Sequence, residues 1–162
     1  MLRSAIGVML ALAAAAAAVP SAEPANPVPY PEAYRQWTHV KTAIVGPGNP
    51  GFAKFGGVHH IYANEHAMRG YREGSFPDGS IIVFDLLEMQ TKDDVISEGP
   101  RRHVDVMHKD TQRFAATGGW GFDEFRGGSR TERNVGDRAV PECFECHAKR
   151  KDANFVYSAW RE

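Results

Sequence analysis

The spacing of apolar and polar positions changes several times along the chain, and each change predicts an element. Around His59 and His60, β-branched and aromatic residues predict a strand over Gly57 to Tyr62. Asn64 follows with a side chain suited to a helix N-cap. Ala67, Met68 and Tyr71 recur at helical spacing behind it, which predicts a helix to about Arg72. Phe76-Pro-Asp-Gly79 is a turn. The stretch from Ser80 to Leu87 then runs apolar on both faces and belongs at the centre of a sheet or against a large apolar body.

The flanking segments are more broken. Tyr34, Trp37 and Val40 fit one face of a short helix, and Val40 to Val45 reads as extended. Ser97-Glu-Gly-Pro100 reads as a break. From Arg102 to Lys109, Val104 and Val106 alternate with His103, Asp105 and Met107, as in a half-buried strand. A helical turn from Asp110 to Phe114, a strand over Trp120 to Phe125 and a polar loop over Gly127 to Asp137 complete the middle. Phe155-Val-Tyr157 reads as a last edge strand. The sum is an α+β fold, mainly antiparallel β-sheet with several short helices.

Composition adds a leader and excludes some partners. Arg3 precedes the alanine-rich apolar run from Ala5 to Val19, with small residues near Ala18, Ser21 and Ala22 and prolines beyond. This is the pattern of a cleavable secretory signal peptide over residues 1–22. A proline-rich lead-in over 23–31 and one domain over 32–162 follow. The expected location is the periplasm, with no membrane contact after cleavage. The 162 residues carry 19 Lys and Arg against 20 Asp and Glu. That balance gives no basis for nucleic-acid binding or a polybasic membrane contact.

Both cysteines of the chain lie in Cys143-Phe-Glu-Cys146-His147, the C-x-x-C-H pattern of covalent haem attachment. Two thiols three positions apart can each add to one vinyl group of a single haem. The next histidine then stands beneath the iron as proximal ligand. The reading is one haem c per chain, held near the C-terminus by Cys143 and Cys146 and ligated by His147. A redox-active dithiol, a structural disulfide and half of a zinc site are the other readings of such a spacing. No second C-x-x-C or H-x-x-x-H accompanies it.

Several further segments occur in a telling order. They are Trp37-Thr-His-Val-Lys41, Gly57-Val-His-His-Ile-Tyr-Ala-Asn64, Phe76-Pro-Asp-Gly-Ser80, Val106-Met-His-Lys-Asp110 and Arg113-Phe-Ala-Ala-Thr-Gly-Gly-Trp-Gly-Phe122. With the terminal C-x-x-C-H, the chain resembles the cytochrome P-460 family, which includes the beta-type cytochromes c-prime. The resemblance implies an antiparallel sheet with short helices, a homodimer, and a five-coordinate haem whose distal side is open to small nitrogen species. Some members oxidise hydroxylamine and carry a lysine crosslinked to the haem. The beta-type cytochromes c-prime lack the crosslink and bind nitric oxide in a phenylalanine-capped pocket. The crosslinking lysine belongs on the strand after the Pro-x-Gly turn, and Ile81 to Glu88 contains none; Phe84 and Asp85 stand near its place.

Phe84 is therefore the candidate distal cap, and Asp85 the candidate for moving protons to a bound ligand. Asp85 could equally pair with Arg102 or Arg113, themselves candidates for the haem propionates. Of His59 and His60, adjacent on a strand, one must point inward. His103 and His108 read as surface groups, Met68, Met89 and Met107 as core, and Trp120 and Phe122 as core or haem-packing aromatics. Three functions follow: a redox cytochrome binding nitric oxide and hydroxylamine, with hydroxylamine oxidation as an activity; a non-catalytic nitric-oxide binder; or a six-coordinate electron carrier. Each implies a periplasmic electron donor or acceptor, or a gaseous ligand, as partner.

Overall fold

A computed structural model describes residues 28–161 of the protein. The leader expected over 1–22 lies outside the described residues. Five strands form one antiparallel sheet in chain order: β1 (Thr38–Val45), β2 (Gly57–Ala63), β3 (Ile81–Lys92), β4 (Val95–Lys109) and β5 (Trp120–Arg126). Helix α1 (Phe52–Phe55) precedes β2, and α2 (Glu65–Glu73) joins β2 to β3. The strand that is apolar on both faces, β3, is the central one, where both of its faces can be covered.

Asn64 does more than cap. Its Oδ1 accepts from the Ala67 amide at 2.9 Å and from the Ile81 amide at 3.0 Å, while Nδ2 donates to the Gly79 carbonyl at 2.8 Å. One side chain thus ties the start of α2 to the start of β3.

Three expected elements come out differently. The helix expected over Tyr34 to Val40 is a single 3-10 turn, Tyr34–Gln36, because β1 starts at Thr38 and pairs with β2. Ser97-Glu-Gly-Pro100 does not break the chain. It lies inside β4, and Leu87 faces Arg101 while Met89 faces Glu98, so Gly99 and Pro100 together oppose Glu88. Such a bulge accepts a proline that a regular ladder would not. Phe155 to Tyr157 pairs with no strand. Asn154 and Phe155 both take positive φ (53° and 67°), which turns the chain back under the preceding helix.

The sheet separates two cores. On one face, Val83, Val104, Val106 and Phe125 pack against Val28 and Tyr34. Val28, in the proline-rich lead-in, is buried there, and its carbonyl accepts from Arg133 Nη1 at 2.7 Å. On the other face, Ile61, Ala63, Ile82, Met107, Trp120 and Phe122 pack with Ala67 and Met68 of α2 and with Val156. A helical stretch from Val140 to Ala153, with α3 (Glu145–His147) at its centre, also belongs to this second side. Among the described residues, no helix is long and apolar enough to cross a membrane.

Candidate functional site

The second face does not close over its whole length. A cavity of about 460 Å³ opens beside it, bordered by Ile61, Ile82, Met107 and Phe122 of the sheet and by Val156 of the tail. Cys143, Cys146 and His147 all border this cavity. The volume lies within the range of pockets that hold cofactors and drug-sized ligands, and an apolar lining with a few polar groups is their usual character.

His147 is fixed by its neighbours. Its Nδ1–H donates to the Phe155 carbonyl at 2.7 Å, and its ring lies 5.0 Å from Phe122 and 5.3 Å from Tyr157. With Nδ1 occupied as donor, Nε2 keeps its lone pair. This is the tautomer that a backbone carbonyl sets in metal-ligating histidines. Burial lowers the ring's pKa, which favours the neutral, ligand-competent form. The turn of the chain at Asn154 and Phe155, where a strand was expected, is what delivers that carbonyl.

Both cysteines are free thiols. Burial, reinforced by Asp105, pushes the Cys143 thiol up to about 12. A redox-active dithiol needs the opposite shift, so the environment speaks against that reading. Nor do the cysteines join a cluster of metal-binding groups. Among the described residues, the one set of three close enough to hold an ion is His103, Asp105 and Glu124.

Phe84 borders the cavity, as do Phe55 and His59. The Phe55 and Phe84 rings meet edge to face at 6.1 Å, and His59 stacks on Phe84 at 4.5 Å. His59 Nδ1 is buried without a hydrogen-bond partner. Burial first, then Lys41 and His60, lowers the His59 pKa to about 4, so its ring is neutral at ordinary pH. His60 faces the other way and bonds Thr42 Oγ1 at 2.8 Å and Glu98 Oε1 at 2.5 Å.

Asp85 is elsewhere. Its carboxylate is 0% exposed on the opposite face of β3. It accepts from Tyr34 Oη at 2.7 Å, Arg35 Nε at 3.0 Å, Arg101 Nε at 2.6 Å and Arg101 Nη2 at 3.2 Å. Asp85 is thus a structural ion-pair centre, and the role of moving protons at the cavity passes to other groups. Its partners are Arg35 and Arg101, not Arg102 or Arg113. Arg102 holds the carbonyls of Ala53 and Gly56 at the end of α1, and Arg113 faces Asp110 at 3.8 Å. The cations that border the cavity are Lys41 and Lys54.

His103 is not a surface group. It is buried beside Asp105 and Glu124, two further cavity residues that the sequence reading passed over. Their signal is legible in retrospect: His-x-Asp places two donors on one face of a strand. Met107 borders the cavity, Met68 is core and Trp120 is fully buried, with Nε1 donating to the Asn154 carbonyl at 3.0 Å.

The sequence pattern of the cytochrome P460 family matches residues 31–158, nearly the whole described chain. The chain belongs to the cytochrome P460 family. Membership makes haem the implied cofactor of this cavity. The residues present fit it: an apolar opening, two unpaired thiols at its border and an imidazole whose second nitrogen is already engaged. No curated protein matches the chain.

Proposed function

We propose that the protein is an exported, single-haem c-type cytochrome of the periplasm that binds nitric oxide and related small nitrogen species at an open iron face. In this reading Cys143 and Cys146 hold the haem by adding across its two vinyl groups, and His147 Nε2 is the proximal ligand. The observation that carries it is the convergence of all three residues on one cavity, with His147 Nδ1 tied to the Phe155 carbonyl. When bound, the haem supplies an iron that takes a small ligand and exchanges one electron.

The chain's own groups then govern access and chemistry. Phe55 and Phe84 form an aromatic wall that admits a diatomic and resists bulkier ligands. His59, neutral and stacked on Phe84, borders that space as well. Phe84 stands on the strand where the family resemblance places a crosslinking lysine. Lys41 and Lys54 border the cavity from β1 and α1 instead, and Lys54 Nζ is engaged with the Glu142 carbonyl at 3.0 Å. This supports ligand binding without hydroxylamine turnover as the main activity. A periplasmic electron donor or acceptor and a second copy of the chain are the partners that go with it.

A second reading, a six-coordinate electron carrier, rests on the same His59, whose unpartnered nitrogen would be the sixth ligand. The stacking on Phe84, which holds the ring in place, disfavours it. Optical titration of the reduced, haem-loaded protein tests the proposal. Saturable binding of nitric oxide is expected, with no reduction of an added acceptor by hydroxylamine. Sustained hydroxylamine-dependent reduction of the acceptor would make the protein an oxidase instead.

A further inference from the structure

His103, Asp105 and Glu124 meet at the edge of the cavity, outside the residues assigned to the haem. The sheet places them together. His103 and Asp105 lie two apart on β4 and so share a face, and Asp105 stands directly opposite Glu124 on β5. Two carboxylates opposed across strands repel one another unless a cation or proton lies between them. The donor atoms of all three side chains lie within 4.8 Å of one another.

The imidazole gives the cluster its direction. His103 is 7% exposed, and its Nε2 is buried with no hydrogen-bond partner. That nitrogen lies 3.6 Å from Asp105 Oδ1, which is also buried and unpartnered, while Nδ1 lies 3.8 Å from Glu124 Oε1. Both distances are too long for hydrogen bonds. A given ion binds one ring nitrogen, and the 3.6 Å from Nε2 to Asp105 Oδ1 is close to the roughly 3.3 Å that separates two ligands each about 2.0–2.2 Å from a shared ion in tetrahedral geometry. Leaving such groups unpartnered inside a protein costs free energy, and an ion between them would remove that cost.

The surroundings are ordered for the purpose. Asn134 Nδ2 donates at 2.7 Å to Glu124 Oε1, the same oxygen that faces His103, and so fixes the orientation of that carboxylate. The His103 and Phe84 rings lie nearly parallel, with centroids 6.3 Å apart. The nearby cation Lys54 is engaged with Glu142, through the carbonyl at 3.0 Å and Oε2 at 3.5 Å, so it does not fill the place between the carboxylates.

We propose that His103, Asp105 and Glu124 form a binding site for one divalent first-row transition metal ion, independent of the haem and beside its cavity. One imidazole and two carboxylates suit zinc, manganese or ferrous iron better than calcium or copper. Asp105 and Glu124 both border the cavity, so coordination positions left open by the protein face the same space as the small ligand.

Zinc chloride titrated calorimetrically into the chelator-treated, haem-loaded protein tests this. The expected result is one zinc per chain, with affinity reduced at least about tenfold in Glu124→Gln and in His103→Gln. His60→Gln, which breaks the separate contact of His60 with Glu98, should leave it unchanged. Glu124→Gln keeps the side chain's shape, so it remains informative if His103→Gln fails to fold. X-ray absorption at the zinc edge should report one imidazole among oxygen donors and no sulfur. Absence of saturable binding, binding undiminished in Glu124→Gln, or sulfur coordination would each overturn the proposal.

Discussion

Phe84 and Asp85 are neighbours on one strand, yet they belong to opposite regimes. On the Asp85 face every oxygen of the buried carboxylate is matched by Tyr34, Arg35 or Arg101, and Val28 and Tyr34 close the core. On the Phe84 face the sheet borders an open cavity, and polar atoms of His59, His103 and Asp105 lie buried without partners, whereas on the Asp85 face His108 Nδ1 is the single such atom among the described residues. A satisfied charge is the mark of a group that holds the fold. Unsatisfied polar atoms beside an apolar opening mark a surface prepared for something that binds there. The comparison reverses the simplest expectation, that the charge within the most apolar strand is the chemical group.

The contrast breaks first at the cysteines. Replacing Cys143 and Cys146 together by alanine should abolish haem that survives denaturation, which mass spectrometry of the unfolded chain reads directly. Retained covalent haem would remove these thiols from the site. On the closed face, Arg101→Met strips the buried Asp85 of its closest cation and should cost about 3 kcal/mol in urea unfolding. Affinity for nitric oxide should not change. Phe84→Ala should show the converse, a loss of only about 1 kcal/mol because the ring is only partly buried at the cavity. Imidazole should then bind the iron more tightly than in the wild type, as a shifted Soret band would report.

Acid separates the faces more finely. Burial pushes the Asp85 carboxyl up, but the hydrogen bonds from Arg101 and Tyr34 outweigh it and hold the folded pKa below the usual value. Its stabilisation is therefore complete above about pH 3.9, the unfolded value, and is lost as pH falls through the lower folded one. His59 acts the other way and earlier. Folded, it takes up a proton only near pH 4, whereas unfolded histidine does so near 6.5. Stability should therefore decline as pH falls from about 6.5 towards 4, and His59→Gln should lessen the slope of that part of the curve in denaturant titrations at several pH values. His103, His108 and His147, whose pKa values burial also lowers, contribute the remainder. An unchanged slope in the variant would assign the decline to another group.

Much of this was legible from residues alone, and the exceptions have physical causes. Asn64 as a cap, the strand at Gly57 to Tyr62 and the central place of Ile81 to Leu87 follow from local chemistry and period. The partner of Asp85 was not legible because of a bulge. Leu86 pairs with His103 but Leu87 with Arg101, so the register slips at Arg102. Without that slip Arg102 would share the face of Asp85; with it Arg101 does. The cluster of His103, Asp105 and Glu124 depends on which strands are neighbours, which alternation within one strand does not specify. The C-x-x-C-H motif announced its three residues, but not the Phe155 carbonyl that orients His147. That contact arises from positive φ at Asn154 and Phe155, neither of them glycine.

The central claim is that the cavity presents an iron with an open sixth position above His147. Flash photolysis or stopped-flow mixing of the reduced protein with carbon monoxide tests it most directly. The account predicts a bimolecular rate that rises linearly with carbon monoxide concentration. A slow rate independent of that concentration, abolished in His59→Gln, would show that the protein's own histidine fills the position and would contradict it.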